Sequence, residues 1–270
     1  MNYREINKNN ADKLLNTLSC GVYKVGNLNV AIPNYEPAYY FSEPNIRNAV
    51  RMAEKRKDIA EQNIEIYNVS TVDAVIKTYR QLQKADMEDS KIGVLNFASA
   101  KHPGGGFVTG AMAQEEALCH GSTLYPQLKD SKMYEYNKAM LTSTLYNDSM
   151  NVSTTYFIKD GQGNFVMPAP AIVVTSAAVN HRGLKKYEYN FVEFTMKRRM
   201  EEIIQMFIRY NCKVLVLGAF GCGVFGNDPK FIAKTWKELL EKYGGYFERV
   251  IFAVLDKKED NISAFKETFK

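Results

Sequence analysis

The sequence predicts an α/β sandwich around a central sheet, and three observations predict it. From Lys91 onward, short apolar runs of strand character alternate with segments of helical periodicity. Two glycine-rich loops each stand between a run and a helix, where such folds place their ligand-binding turns. The chain has 270 residues, 46% hydrophobic and 24% charged, enough to bury a sizeable core with an ordinary soluble surface.

In chain order, Asn10 to Leu18 reads as a helix, and Val22 to Ile32 as a hairpin turning at Gly26-Asn27. Ser42 looks like a helix cap, and the charged run Arg51 to Lys57 extends that helix on the surface. Ile64 to Val69 is a short strand. Thr71 to Leu82 is a helix whose Val72, Val75, Ile76 and Tyr79 share a face. Ile92 to Phe97 is an apolar strand leading into the first glycine loop, and Ala111 to Leu124 reads as helical. Thr155 to Ile158 and Phe165 to Met167 form a hairpin across Lys159 to Asn164, and Ala171 to Ser176 is a separate buried strand. Phe191 to Tyr210 is a helix with Val192, Met196, Met200, Ile203 and Phe207 inward. Lys213 to Leu217 is a strand and Pro229 to Tyr243 a helix with proline in its first turn. Arg249 to Leu255 is a strand, and Asn261 to Phe269 a closing helix. The change in pattern divides the chain softly into residues 1–90, an N-terminal extension packed on the core, and residues 91–270, the core itself.

The net charge of +5 is spread along the chain and reads mostly as a solvated surface, a weak signal for a polyanionic partner. Cys20, Cys119, Cys212 and Cys222 form no CxxC pair, which points to a reduced, cytoplasmic protein without a cysteine-rich zinc site. The first residues carry charge and amide where a secretion signal needs an apolar run. Lys213 to Phe225 and Ala171 to Val179 fall short of the about 20 residues that span a bilayer, so no membrane association is expected.

The first loop, Pro103 to Glu116, joins Gly104, Gly105 and Gly106 to Gln114, Glu115 and Glu116. Consecutive glycines let a ligand approach bare peptide N–H groups, and the amide and carboxylates add hydrogen bonding and proton transfer. The plain alternative is a turn before the charged start of an exposed helix.

The second loop, Gly218 to Pro229, lies between a strand and a helix, where backbone N–H groups and the helix dipole favour an anion such as a diphosphate. Its Gly221-Cys222-Gly223-Val224-Phe225-Gly226 also spells GxGxxG, with Asp256 ending the next strand, the outline of a nicotinamide-dinucleotide unit. That rival reading leaves the first loop unexplained, and little sequence follows for further βαβ units. Neither loop ends in Gly-Lys-Ser/Thr, which argues against nucleotide triphosphate hydrolysis.

Other candidates carry weaker signals. His102, His120 and His181 lack metal-ligand spacing, and no metal or other cofactor is implied. Cys222 is either a nucleophile or, more in keeping with its loop, a small residue admitting phosphate. Ser176 and Asn180 end a strand at the expected binding edge, as ligand contacts or as turn residues. Phe107 and Phe225 either stack on a ligand or anchor their loops.

A diphosphate loop beside paired carboxylates suits cleavage of a diphosphate-linked sugar at its anomeric carbon. A carboxylic acid protonates the departing oxygen and then, as carboxylate, activates water. Burial beside a second carboxylate raises the pKa and keeps a proton available near neutrality. Glu116 suits that acid/base role and Glu115 the holding of ribose hydroxyls; adjacent helical residues point about 100° apart, so the two need not oppose each other.

The segment Gly104-Gly-Gly, seven residues, Gln114-Glu-Glu116 resembles the signature of poly(ADP-ribose) glycohydrolases. Leu95 to Gly106, including Asn96, and Gly218 to Phe225 followed by Asn227-Asp-Pro229 resemble the bacterial-type branch, as do Gly21-Val-Tyr23 and Thr175-Ser-Ala-Ala178. The resemblance covers most of the chain. It implies a three-layer α/β/α macrodomain-like sandwich with a mixed central sheet and a mainly helical N-terminal extension. It also implies hydrolysis of terminal ribose–ribose bonds in poly(ADP-ribose) on ADP-ribosylated macromolecules, with ADP-ribose as product and no obligate protein partner. By resemblance Glu116 is the catalytic acid/base, Glu115 the ribose-binding partner, and Gln114 the supporting amide. Phe225 positions the distal ribose, and Gly221 to Gly226 surround the diphosphate. The sequence departs at Gly226, where family members often carry a basic residue. Two alternatives stay open: a non-catalytic ADP-ribose-binding module and an NAD-dependent oxidoreductase.

Overall fold

The computed structural model describes residues 2–50, 62–140 and 143–270, with the side chains of residues 47–50 left aside. The expected surface helix Arg51 to Lys57 lies outside them. Helix α1 (Tyr3–Cys20) precedes a separate hairpin, β1 (Val22–Val25) and β2 (Leu28–Ala31). Strand β3 (Tyr39–Phe41), α2 (Glu43–Val50), β4 (Asn63–Tyr67), α3 (Thr71–Lys84) and β5 (Lys91–Phe97) follow. Then come α4 (Gln114–Gly121), α5 (Leu124–Leu128), α6 (Lys132–Ala139), β6 (Met150–Lys159) and β7 (Phe165–Ser176). The chain closes with α7 (Val192–Arg209), β8 (Cys212–Leu217), α8 (Pro229–Tyr243), β9 (Arg249–Ala253) and α9 (Asp260–Thr268).

Seven strands form one mixed sheet in the order β3-β6-β7-β5-β8-β9-β4. The β3, β6 and β7 neighbours pair antiparallel, and every pairing from β7 across to β4 is parallel. Residues before Lys91 therefore supply both edge strands as well as α3.

The central strands read as unbroken apolar runs because both faces are covered. Alternate residues go to opposite layers. In β8, Val214 and Val216 join the core beneath α1, α3 and α4, while Leu215 and Leu217 join the core beneath α7, α8 and α9. In β9, Ile251 and Val250 divide in the same way. The five inward positions expected on α7 are all buried. Helix α3 begins where Ser70 Oγ accepts the Asp73 N–H at 3.1 Å, and α8 where Asp228 caps Lys230 ahead of Pro229 in the first turn.

Three sequence expectations change. The two runs read as Phe165 to Met167 and Ala171 to Ser176 are a single strand, β7. Its Pro168 and Pro170 break the apolar pattern but are tolerated because β5 pairs only with Ile172 to Ser176. The helix expected from Ala111 starts at Gln114 instead: Ala111 donates its N–H to the Gly106 carbonyl at 3.0 Å, closing the loop before α4 can begin. The hairpin strand expected from Thr155 starts at Met150, where β3 supplies a second pairing edge.

Candidate active site

Strand β5 sits between β7 and β8, and its carboxyl end delivers the first glycine loop. The side chain of Gln114, the first residue of α4, ties that helix to the strand. Its Oε1 accepts the Phe97 N–H at 2.8 Å and its Nε2 donates to the Leu95 carbonyl at 2.8 Å. The amide thus completes the backbone hydrogen bonding where β5 frays, and fixes the two carboxylates that follow.

Glu116, the third residue of α4, accepts the Ala113 N–H on Oε2 at 2.9 Å, one half of a capping box since Ala113 has no side-chain acceptor to return the bond, and the Gly106 N–H on Oε1 at 2.8 Å. Glu115 lies deeper. Its Oε2 takes the Ser99 N–H at 2.6 Å and its Oε1 the Asn96 amide at 3.2 Å, with the Tyr134 hydroxyl at 3.5 Å. Burial pushes Glu115 up to about 8, against the pull of the Ser99 and Asn96 donors and with a further push from Glu116. The raised value thus falls on the residue read as orienting, which is 3% exposed.

The glycine run follows from these contacts. Gly105 has φ +60, and a Cβ there would collide with Glu116 Oε1 and stand 3.2 Å from Glu115 Oε2. The backbone of the loop therefore rests directly on the carboxylates. Phe107 is an anchor, not a ligand platform: it is fully buried, its ring centroid 4.7 Å from His120 and 4.8 Å from Tyr125. His120 is held down to about 4 by burial and by Lys159, so it stays neutral inside the layer.

The second loop closes over the end of β8. Gly221, φ +75, brings its backbone so near that a Cβ would stand 2.6 Å from both Ala178 Cβ and Asn227 Nδ2. The Asn227 amide pins the loop to the Val179 carbonyl at 2.8 Å and the Gly221 carbonyl at 3.1 Å. Gly223 faces open space and Val224 is exposed. Phe225 packs 6.2 Å from the Tyr146 ring. Burial, with Asp228 adding to it, pushes the Cys222 thiol up to about 12, which excludes a ready nucleophile. The N-terminus of α8 is already capped by Asp228, so anion binding would draw on the loop's own amides.

Both loops open on one cleft of about 520 Å³. Of the candidate residues, Gly105, Gly106, Gln114, Glu115, Glu116, Gly221, Gly223, Val224 and Phe225 line it. Gly104, Asn96, Cys222 and Gly226 stand behind it. Gly104 packs against Tyr125, Asn96 holds Glu115, and Gly226 abuts Arg182. Ser176 is buried and Asn180 bonds the Thr144 backbone, while Ala178 between them reaches the cleft. Ser99, His102 and Thr109 also line the cleft, and Tyr134 supports it from α6. Sequence reasoning missed Ser99 and Tyr134, whose contributions arise only from the three-dimensional return of the chain. Among the described residues no group of three His, Cys, Asp or Glu side chains could hold a metal ion, and no helix is long and apolar enough to cross a membrane.

The seven-stranded mixed sheet, with an acidic loop and a glycine loop facing each other beyond adjacent strands, defines a macrodomain-like α/β protein. The catalytic-domain description of microbial-type poly(ADP-ribose) glycohydrolase matches residues 24–157. The poly(ADP-ribose) glycohydrolase of Thermomonospora curvata superposes with a TM-score of 0.89 at 28% identity, covering 98% of this chain and 100% of its own. The same enzyme bound to the inhibitor ADP-HPD gives a TM-score of 0.85 at 28% identity, covering 98% of this chain and 99% of its own. The Deinococcus radiodurans poly(ADP-ribose) glycohydrolase in complex with ADP-ribose gives 0.76 at 33% identity, covering 86% of this chain and 94% of its own. No curated protein sequence matches the chain. The chain belongs to the microbial-type poly(ADP-ribose) glycohydrolase family.

Proposed function

We propose that the protein hydrolyses the ribose–ribose O-glycosidic bond at the terminus of poly(ADP-ribose), releasing ADP-ribose. The observation that carries this reading is the single cleft shared by the Glu115–Glu116 loop and the Gly221–Gly226 loop. One ligand with a diphosphate at one end and a scissile ribose at the other matches that spacing of chemistry. The relatives crystallised with ADP-ribose and ADP-HPD support it.

In this mechanism Glu116, as the acid, gives its proton to the leaving ribose oxygen while the anomeric C–O bond breaks. The resulting carboxylate takes a proton from the water that attacks the anomeric carbon, restoring the acid, so the net reaction adds one water across the bond. The Gly106 and Ala113 N–H groups hold both Glu116 oxygens and fix the carboxyl group in place. Glu115 orients the ribose hydroxyls; with its pKa near 8 it also presents a proton donor to them at neutral pH. Phe225 positions the distal ribose, and the loop Gly221 to Gly226 surrounds the diphosphate.

The dinucleotide reading loses its acidic residue. Asp256 Oδ2 accepts the Asn261 N–H at 2.6 Å and fastens the start of α9 instead of awaiting a ribose.

The test is release of ADP-ribose from a polymer-bearing, automodified acceptor. Glu116→Gln is expected to lower turnover by at least about 100-fold, the usual contribution of a general acid, while ADP-ribose binding survives. Unchanged turnover in the variant defeats the mechanism. Binding by the wild type without release replaces it with a reader.

A further inference from the structure

Beside the second glycine loop, residues 185–194 carry an unusual surface. Tyr187, Phe191 and Phe194 are 63%, 55% and 65% exposed within eight positions. Single exposed aromatics are common, but a cluster rimmed by charge marks a contact surface. The charge here is basic. Lys185 and Lys186 are exposed, with the Lys185 ammonium 5.9 Å from the Tyr187 ring centroid; the Arg198 guanidinium lies 5.4 Å from that of Phe194 but is also paired with Asp148, so the lysines and Arg182 are the cations that face outward. Glu188 is turned inward, its carboxylate accepting the Lys185 N–H at 2.8 Å, which leaves Glu193 as the exposed acid of this stretch.

This surface is continuous with the cleft. His181 and Tyr189 pack ring to ring at 5.1 Å, joining the turn 186–191 to the turn 181–183. From that second turn Arg182 reaches the loop, its Nη2 donating to the Gly223 carbonyl at 3.5 Å and its side chain abutting Gly226. Rings interleaved with cations, running outward from a cleft, suit a chain that repeats a flat base and a phosphate: bases stack on the rings and phosphates meet the cations.

We propose that this face is a second binding surface for the polymer, taking the adenine and diphosphate of ADP-ribose units beyond the one held in the cleft. The proposal rests on the glycohydrolase reading.

The experiment compares two double variants, each in the full chain carrying Glu116→Gln so that the polymer stays intact. One is Tyr187→Ala with Phe194→Ala, the other Lys185→Ala with Lys186→Ala. Calorimetry gives the Kd for free ADP-ribose, and titration with long polymer at several salt concentrations gives the polymer affinity. The ring variant is expected to weaken polymer binding about tenfold or more, as loss of base stacking does, with ADP-ribose affinity unchanged. The lysine variant is expected to lower the slope of log affinity against log salt by about one to two.

Unchanged polymer affinity in both variants overturns the proposal and leaves the cleft reading standing. An equal loss for ADP-ribose also overturns it, by placing the defect in the cleft. A parent protein that binds neither ADP-ribose nor polymer fails one step earlier, at the glycohydrolase reading.

Discussion

At the residue scale, the carboxylates and the glycines are one device. Gly105 leaves room for Glu116 Oε1 only because it has no side chain, and its φ of +60 is one that side-chain-bearing residues adopt at a cost of about 1–2 kcal/mol. Gly105→Ala is expected to destabilise the fold by about that amount in urea titrations and to reduce turnover by about 100-fold, since displacing the acid by an ångström suffices. Glu115 gives a pH signature. Its folded pKa, about 8, lies above the ordinary 4.5, so the folded state holds the extra proton between those values. Stability from this group is therefore present below about pH 4.5 and is lost as pH rises toward 8. Comparing melting temperatures across that window, the difference between Glu115→Gln and the wild type should move in the variant's favour as pH rises. A difference that stays flat counts against the raised value.

At the element scale, α7 does more than cover the sheet. Arg199, fully buried on this helix, donates to the Ala177 carbonyl at 2.7 Å, just past β7, and to the Leu145 carbonyl at 2.9 Å. It also pairs with Asp148 at 2.9 Å, a carboxylate that Arg198 engages from the other side. Arg199→Met removes four donor contacts and strands three carbonyls; unfolding free energy is expected to fall by about 3–5 kcal/mol in denaturant titrations. The helix itself was legible, because its apolar residues recur at 3.6-residue spacing, but the reach of Arg199 was not, since a charged residue in a periodic pattern reads as solvent-facing. Strand β3 was likewise hidden: Tyr39 to Phe41 is too short for alternation to register, and only its pairing with Met150 to Val152 makes it a strand. The site followed the same division. Gln114, Glu115, Glu116 and the downstream glycines sit in contiguous motifs and were readable, whereas Ser99 and Tyr134 act through contacts that no local spacing encodes.

At the scale of the whole molecule, the alternation of strand and helix after Lys91 was enough to give the layered architecture, because each central strand divides its side chains between two cores. The same alternation says nothing about strand order, which depends on pairings between distant segments. That order has a kinetic meaning. Strand β4 occupies one edge of the sheet and pairs with β9, its Asn63 beside Arg249, so a strand made early has its partner made last. During synthesis β4 must wait, its backbone groups bonded to water in place of a partner strand, until both cleft-forming loops have been made. Closing such a loop carries an entropic cost that local contacts do not. The edge farthest along the parallel half of the sheet is thus the last to be sealed, and a ribosome that pauses before β9 holds a chain whose two cleft-forming loops are complete but whose sheet is still open.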